Sequence, residues 1–446
     1  MNMCIKHAVV LLVILMNACV STPPENMNSE RVLVYSGNLD GELEPCGCSE
    51  EGDLGGLKRR VKMVDSLRRE IPDLFLISSG GLLISETPQD KLTSEYILKG
   101  LASLDYDAIG VQWRDLAFGE AFLSRANLPF VTNDANPGFA ETERTLIHGK
   151  KQIAFFSWLN TADNPMSQMH GVNDPENGQT DGLMKSLTDA KASGKTTILS
   201  TSLPLELARK LFDLSHIDVL IIKSRYELFG DPERIGSTLV LQPGSRGMRL
   251  GRVDLTVDSM GNIASWRHQV IPLPKSVGDA QRMASWYEEY NDKVREAYEK
   301  RVALRKSLES GESPYAGDQS CSGCHVTEHQ KWSSSKHAEA FYALQDAGKA
   351  FDPACIICHS VGFDKVGGFI DAETTPSLMH VQCESCHGAA REHVESAGKW
   401  PVGNATARGE QICVQCHNHS HSPSFDFATY WPHIAHGMVE AGLKAP

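Results

Sequence analysis

The spacing of apolar and polar positions predicts alternating strands and helices along most of the first 275 residues. Short apolar runs that predict β-strands lie at residues 32–36, 74–78, 108–111, 153–158, 197–200 and 219–222. Amphipathic stretches between them, such as residues 57–69 and 205–214, predict helices. Three further strands without helices between them are predicted at residues 238–242, 251–257 and 262–270. An alternating start and a β-rich end predict a layered α/β or α+β domain over residues 31–275.

A helical periodicity replaces this pattern in residues 276–310, where apolar side chains recur every three or four positions. The recurring residues are Met283, Trp286, Tyr287, Tyr290, Val294, Ala297, Tyr298 and Val302. They predict one amphipathic linker helix from Gly278 to about Glu309, which Gly311 and Pro314 end. We interpret it as a stiff link that packs one domain against another, because aromatic stripes are more often packing surfaces than cofactor sites.

The N-terminus predicts export. Residues 8–16 form an apolar run that is shorter than the roughly 20 residues of a membrane-spanning helix. The sequence Asn17-Ala18-Cys19 that follows resembles a bacterial lipoprotein signal, which implies that residues 1–18 are removed and that Cys19 is lipidated. The alternative is a plain signal peptide that is cleaved nearby.

Charge limits the partners of the chain. The 446 residues are enough for two or three domains, and their formal net charge of −13 argues against nucleic-acid binding. It also disfavours direct binding to an anionic bilayer, so attachment to a membrane would depend on the lipidated Cys19. Residues 19–30 are polar with two prolines and predict a tether, and Val20 after the cysteine favours the outer membrane.

Four Cys-x-x-Cys-His motifs lie between residues 321 and 417. Their cysteines are Cys321 and Cys324, Cys355 and Cys358, Cys383 and Cys386, and Cys413 and Cys416, and their histidines are His325, His359, His387 and His417. In this motif both thiols form thioethers to a haem, and the adjacent histidine binds the iron. Two structural zinc sites are the alternative, but zinc needs no histidine directly after the second cysteine.

Cysteine counting leaves one further pair. Of the 12 cysteines, eight lie in the motifs, Cys4 lies in the predicted signal and Cys19 is the predicted lipid site. The remaining pair, Cys46 and Cys48, has two open interpretations. It is either a thiolate pair that binds a metal or reacts with a partner, or an inert, locally oxidised pair.

The motifs are so dense that haem faces must supply most of the interior of residues 311–446. The first cysteines of successive motifs are 34, 28 and 30 residues apart, which leaves little protein for a separate apolar core. We therefore predict a mainly helical, loop-rich domain in which neighbouring haems lie close together as a chain of electron carriers.

Residues 315–420 resemble the tetrahaem cytochromes of the c554 family. The resemblance lies in Tyr315-Ala-Gly, the first two motifs, Trp332, Lys336-His337-Ala338, Val381-Gln before the third motif, Gly388 after it, and His393. It implies four covalently bound haem c groups and a role in carrying electrons. It also implies redox protein partners, either other cytochromes or a quinol-linked donor.

More histidines are present than the irons require. Eight lie outside the motifs, namely His329, His337, His380, His393, His419, His421, His433 and His436. The family pattern favours His337, His380 and His393 as second axial ligands of haems one, three and four. The second haem is predicted to be ligated by His433 or His436 or left open, because the family includes one five-coordinate haem.

The N-terminal region resembles the 5′-nucleotidase and calcineurin-like metallophosphatase family. The similar segments are residues 34–41 with Pro45, 55–60, 106–109 with Phe118 and Gly119, and 242–245 with Leu250 and Gly251. The resemblance implies a β-sandwich flanked by helices. The family's metal-ligand positions fall on Asn38 and Asp40, Gly80 and Gly81, Trp113 and Arg114, and residues near 224–226. Because a two-metal site needs several such ligands, we interpret the domain as a metal-free relative retained for shape or docking, with an unrecognised ligand set as the alternative.

Together these features predict an exported, lipid-anchored multihaem cytochrome that carries electrons in the periplasm or at the outer membrane. The alternative is a haem reductase of nitrite, nitric oxide or hydroxylamine at a five-coordinate haem. A metallophosphatase that also carries haems is a third possibility, which the missing ligands oppose.

Overall fold

The computed structural model describes residues 29–46, 53–133, 138–160, 164, 180–222, 229–309, 311–404, 409–418, 422 and 424–436. The predicted signal, most of the predicted tether and residues 224–226 lie outside these ranges, as do Cys48 and the side chain of Cys46. Within these ranges, no helix is both long enough and apolar enough to cross a membrane.

Two six-stranded sheets form the N-terminal region. The strands in chain order are β1 (Ser29–Ser36), β2 (Pro45–Cys46), β3 (Leu54–Gly55), β4 (Phe75–Ser78), β5 (Ala108–Gly110), β6 (Phe130–Val131), β7 (Arg144–His148), β8 (Lys151–Trp158), β9 (Thr196–Thr201), β10 (Val219–Ile221), β11 (Glu233–Ile235), β12 (Thr238–Leu241), β13 (Arg249–Val257) and β14 (Ile263–Pro272). The first sheet has the order β14-β13-β1-β4-β5-β6 and the second the order β11-β12-β10-β9-β8-β7, while β2 and β3 form a small separate pair.

Parallel pairing explains where the helices lie. Strands β1, β4, β5 and β6 are parallel neighbours, as are β8, β9, β10 and β12. Parallel neighbours need a crossover connection, which is usually a helix. The N-terminal helices are α1 (Leu57–Glu70), α2 (Asp90–Ala102), α3 (Glu120–Ser124), α4 (Thr180–Ala192) and α5 (Leu205–Leu211).

Alternating side chains bury both faces of the central strands of each sheet. In β1, Leu33 and Tyr35 face the second sheet, whereas Val32 and Val34 face α1 and α2. In β8, the even-numbered Ala154, Phe156 and Trp158 pack against α4 and α5, and the odd-numbered positions lie between the sheets. The predicted α+β class and the predicted β-sandwich flanked by helices are confirmed.

The linker helix packs against both halves of the chain. It is α6 (Ala284–Leu308), and it begins six residues after Gly278 because 3₁₀ turns occupy Lys275–Val277 and Gln281–Met283. Its N-terminal part buries Tyr290 and Val294 against the helices of the first sheet. Its C-terminal part buries Tyr298 in a separate cluster with aromatic residues of the C-terminal region.

The C-terminal region consists of short helices and loops. The helices are α7 (Gln319–Ser322), α8 (Val326–Ser333), α9 (Ala340–Asp346), α10 (Pro353–His359), α11 (Cys383–His387), α12 (Arg391–Glu395), α13 (Glu410–Cys413) and α14 (Phe427–Ile434). Among the described residues, the apolar cluster here has nine buried residues and includes Ile356, which lies inside the second motif. This arrangement confirms the predicted mainly helical, loop-rich domain.

The sandwich predicts that two isoleucines on paired strands contribute very differently to the free energy of unfolding. Ile153 of β8 is fully buried between the sheets, whereas Ile147 of β7 is 60% exposed. We expect Ile153→Ala to lower the free energy of unfolding by about 2–5 kcal/mol. Ile147→Ala is the matched control and should leave it within about 0.5 kcal/mol. Urea unfolding followed by circular dichroism measures both, and equal losses would contradict the buried face.

Candidate haem sites

Each Cys-x-x-Cys-His motif forms one helical turn. In the first motif the amide of His325 donates to the carbonyl of Cys321 at 3.0 Å, and in the fourth the amide of His417 donates to Cys413 at 2.8 Å. The second and third motifs lie within α10 and α11. Residues three and four positions apart share one helix face, so each turn presents two thiols and one imidazole together.

The helices of the second and third motifs have well-defined ends. Asp352 precedes α10, and its carboxylate accepts a hydrogen bond from the amide of Ala354 at 3.1 Å. Gln382 precedes α11 in a reciprocal capping arrangement with Ser385. Gly388 ends α11 with φ of 74°, a backbone conformation that side chains disfavour.

None of the eight motif cysteines is in a disulfide, and six of them approach each other in three pairs. The side chains of Cys321 and Cys383 hydrogen-bond to each other, as do those of Cys358 and Cys416. Burial, together with the nearby thiol of Cys413, raises the pKa of Cys386 to about 11. The spatial order of the motifs is therefore first, third, fourth and second.

Three pairs of histidines lie at the spacing of two axial ligands. Their ring centroids are 6.1 Å apart for His325 and His393, 6.0 Å for His337 and His417, and 5.8 Å for His387 and His436. Two imidazoles on opposite sides of one metal ion, each with a nitrogen about 2 Å from the metal, place their centroids roughly 6 Å apart. Each pair contains one motif histidine.

Backbone carbonyls orient several of these rings. The Nδ1 atom donates to a carbonyl oxygen in His359 (Ala340, 2.6 Å), His393 (Trp400, 2.7 Å) and His436 (Ile434, 2.8 Å). A proton held at Nδ1 leaves Nε2 unprotonated, which is the state that binds a metal. Burial lowers the pKa of His337, His387 and His417, and neighbouring histidines lower those of His337 and His387 further, so these rings favour the neutral form.

Four described histidines of the C-terminal region lie outside these pairs, namely His329, His359, His380 and His433. Within the described ranges, the ring of His359 has no second histidine ring opposite it. The structure places His380 elsewhere, with its ring edge-on to Tyr342 at 4.6 Å between centroids. Its Nδ1 accepts a hydrogen bond from the amide of Phe341 at 3.2 Å, which puts the proton of the neutral ring on Nε2. His419 and His421 lie outside the described residues.

A buried carboxylate that the sequence analysis did not single out joins the first and third motifs. Glu384 lies between the two cysteines of the third motif and is 3% exposed. Its oxygens accept hydrogen bonds from the amides of Ala316 at 3.0 Å, Gly317 at 2.8 Å and Ala390 at 2.8 Å. These hydrogen bonds hold the backbone just before the first motif against the helix of the third motif. Only its position between two motif cysteines could have identified it.

The family's metal-ligand positions in the N-terminal region are bonded to each other. Asp40 forms an ion pair with the guanidinium of Arg114 and accepts the amide of Arg246 at 3.0 Å. The side-chain amide of Gln112 donates to the side-chain oxygen of Asn38 at 2.8 Å. Among the described residues, no group of three or more His, Cys, Asp or Glu side chains is placed to hold a metal ion.

A second carboxylate fixes the loop that holds Gly80 and Gly81. Asp115 is fully buried and accepts hydrogen bonds from the backbone amides of Gly81 at 2.9 Å, Leu82 at 2.6 Å and Gln112 at 2.9 Å. Gly81 has φ of 71°, and a β-carbon there would lie 2.5 Å from the side chain of Asn38. An aspartate at this position would therefore displace Asn38.

Comparison with known proteins supports both assignments. Residues 320–388 match the protein family described as cytochrome c554 and c-prime. The cytochrome c-554 of Nitrosomonas europaea is 32% identical over 154 aligned positions, which cover 26% of this chain and 66% of that protein. The predicted resemblance to this family is confirmed. The aligned region spans just under two thirds of the relative's length, and the family implies covalently bound haem c.

A solved structure shows a fold similar to that of the N-terminal region. The 5′-nucleotidase precursor of Thermus thermophilus has a TM-score of 0.50 at 14% identity, over 72% of this chain and 68% of that one. The predicted metallophosphatase-like architecture is confirmed at the level of the fold.

The residues of the C-terminal region fit covalent haem. The motif cysteines are not in disulfides, so their sulfur atoms could form thioether bonds, and three histidine pairs have the spacing that one iron would bridge. Carbonyl acceptors hold Nδ1 of His359, His393 and His436, so that Nε2 of each ring is available for the iron.

Asp40 and Asn38, at the family's metal-ligand positions, already bond to other side chains of the chain. We therefore predict that divalent ions do not support phosphate-ester hydrolysis. With Mn²⁺, Zn²⁺ or Mg²⁺ added, we expect no hydrolysis of nucleotides, because Arg114 already neutralises Asp40. Phosphate release from nucleoside monophosphates measures this. A metal-dependent turnover that disappears in Asp40→Ala would show that a ligand set exists.

Proposed function

We propose that this protein is a multihaem c-type cytochrome that carries electrons through four covalently bound haems. The observation that carries the proposal is the combination of four attachment turns with three histidine pairs at about 6 Å. Family similarity covers only part of the chain, so the count of four rests on the motifs themselves.

Each motif would hold one haem by its two cysteines and its histidine. His393 would be the second axial ligand of the first haem, His436 of the third and His337 of the fourth. This assignment keeps two of the three predicted ligands and uses His436 in preference to His380, whose Nδ1 accepts an amide proton. Each haem supplies a one-electron iron couple.

The chain's own residues determine the path between these cofactors. The thiol of Cys321 contacts that of Cys383, Cys386 lies by Cys413, and Cys416 contacts Cys358. Attachment points this close make a continuous line through the first, third, fourth and second sites. At three of these sites two histidines would hold the iron between them, an arrangement that suits electron transfer.

The second site supports an alternative function, a haem reductase of nitrite, nitric oxide or hydroxylamine. The ring of His359 is oriented by the carbonyl of Ala340 but faces no second histidine ring among the described residues. An iron held there would have a position for a small ligand. We retain this reductase as the second candidate because, among the described residues, this site alone has no second histidine ring paired with its motif histidine.

Location and partners follow from the sequence. We propose that the protein is exported to the periplasm and anchored at the outer membrane through lipidated Cys19. Its donor and acceptor would be redox proteins, either other cytochromes or a quinol-linked donor. Nucleic acid is not among the proposed partners.

The haem count is directly measurable. Intact-mass spectrometry of protein matured in a haem-c-competent periplasm should show four haem additions, because each cysteine pair attaches one. The double variant Cys383→Ala, Cys386→Ala should carry three. A wild-type chain with zinc and no haem would overturn the proposal.

Electron paramagnetic resonance tests the axial ligands. His393→Ala and His337→Ala should each convert one low-spin haem to high-spin, because each removes the second ligand of one iron. His380→Ala is the control and should leave the low-spin signals unchanged. A new high-spin signal in the His380 variant would contradict the assignment of His436. Nitric oxide binding to the wild-type protein would favour the reductase.

A further inference from the structure

A lysine cage lies where the N-terminal region, the linker helix and the C-terminal region meet. The side chain of Lys349 is 14% exposed, and its ammonium lies 2.7 Å from a carboxylate oxygen of Glu44 and 2.9 Å from the side-chain oxygen of Asn291. The ring of Tyr287 lies 5.2 Å from it, and the Tyr287 hydroxyl donates to Glu44. The ammonium therefore holds three separate segments of the chain together.

The cage is connected to the second haem-attachment helix through Asp352. This buried carboxylate lies 3.7 Å from the Lys349 ammonium and accepts a hydrogen bond from Gln89 of the N-terminal region at 3.2 Å. The same carboxylate caps α10. The backbone carbonyl of Asp352 accepts a hydrogen bond from the amide of Cys355 at 3.0 Å. Asp352 thus links the N-terminal region to the first turn of α10, which contains Cys355 of the second motif.

Packing reinforces this connection. Phe351 lies against the apolar cluster of the first sheet and also against the cluster around the second motif. The guanidinium of Arg295 on α6 lies 4.3 Å from its ring centroid. Burial lowers the pKa of Lys349, but Glu44 and Asp352 outweigh that effect and raise it, so the ammonium stays charged. A charge that is buried with its partners in place strongly resists displacement.

We propose that Lys349 and Glu44 are positioning residues that mount the second attachment helix on the metallophosphatase-like region, so that this region sets the orientation and electrostatic environment of the second haem. The inference rests on the proposed function, because it concerns a haem at Cys355 and Cys358. It assigns a role to the N-terminal region that needs no metal and no hydrolysis. It also singles out the one site whose motif histidine, among the described residues, lacks a partner ring.

Two glutamates in one loop supply a matched test. Glu44 pairs with Lys349, whereas Glu42, two residues earlier, pairs with Arg246 within the N-terminal region at 2.6 Å. In the full, haem-loaded chain, Glu44→Gln should change the paramagnetic resonance signal of the second haem. At a fixed potential it should also change the ratio of reduced to oxidised second haem by about two-fold or more. Glu42→Gln should change neither.

The signal of the second haem is assigned by its absence from the double variant Cys355→Ala, Cys358→Ala. Lys349→Met should also change the paramagnetic resonance signal of the second haem, but it should shift the ratio of reduced to oxidised haem in the opposite direction, because it removes a positive charge where Glu44→Gln removes a negative one. Lys349→Arg should largely retain the wild-type signal. An unchanged second-haem signal in both Glu44→Gln and Lys349→Met would overturn the inference, even if both variants unfold more easily. An equal change in Glu42→Gln would also overturn it. A wild-type haem count below four would count against the proposed function, whereas four haems with an unmoved second signal would count against this inference alone.

Discussion

Covalent attachment constrains the C-terminal region more than any apolar contact. Two thiols and an imidazole must lie on one face of a single helical turn, and the chain meets this requirement four times between Cys321 and His417. Little sequence remains for a protein core, and the apolar cluster that does form includes Ile356 of the second motif. One motif cysteine is exposed and seven are partly exposed, and we propose that porphyrin faces complete the interior.

The sequence predicts strands well where both of their faces are buried. Strands β1 and β8 were predicted because side chains on both sides pack against apolar neighbours, which produces uninterrupted apolar runs. The edge strands β7 and β11 are partly exposed and polar, so no such run marks them. Helix α2 is not among the stretches named from the sequence, for a different reason. Small and polar residues such as Ser94 and Gly100 are buried in it, which blurs its amphipathic pattern.

Some residues of the candidate haem sites are predictable from local sequence, whereas others depend on contacts between distant parts of the chain. Attachment residues are predictable because all their ligands lie within five consecutive positions. The partner of a motif histidine is not predictable in this way, since His387 lies opposite His436, 49 residues later. Neither residue type nor spacing distinguishes His436 from His380. Only the folded backbone, which turns the ring of His380 toward Tyr342, separates them.

The loop after β1 carries acidic residues at alternate positions, and each pairs with a cation from a different part of the chain. Asp40 pairs with Arg114, Glu42 with Arg246 and Glu44 with Lys349. The two halves of the protein are therefore not exchangeable modules. A recombination event that replaced either half would have to bring a matching partner for Glu44 or for Lys349. We expect these two positions to be inherited together wherever the same fusion occurs.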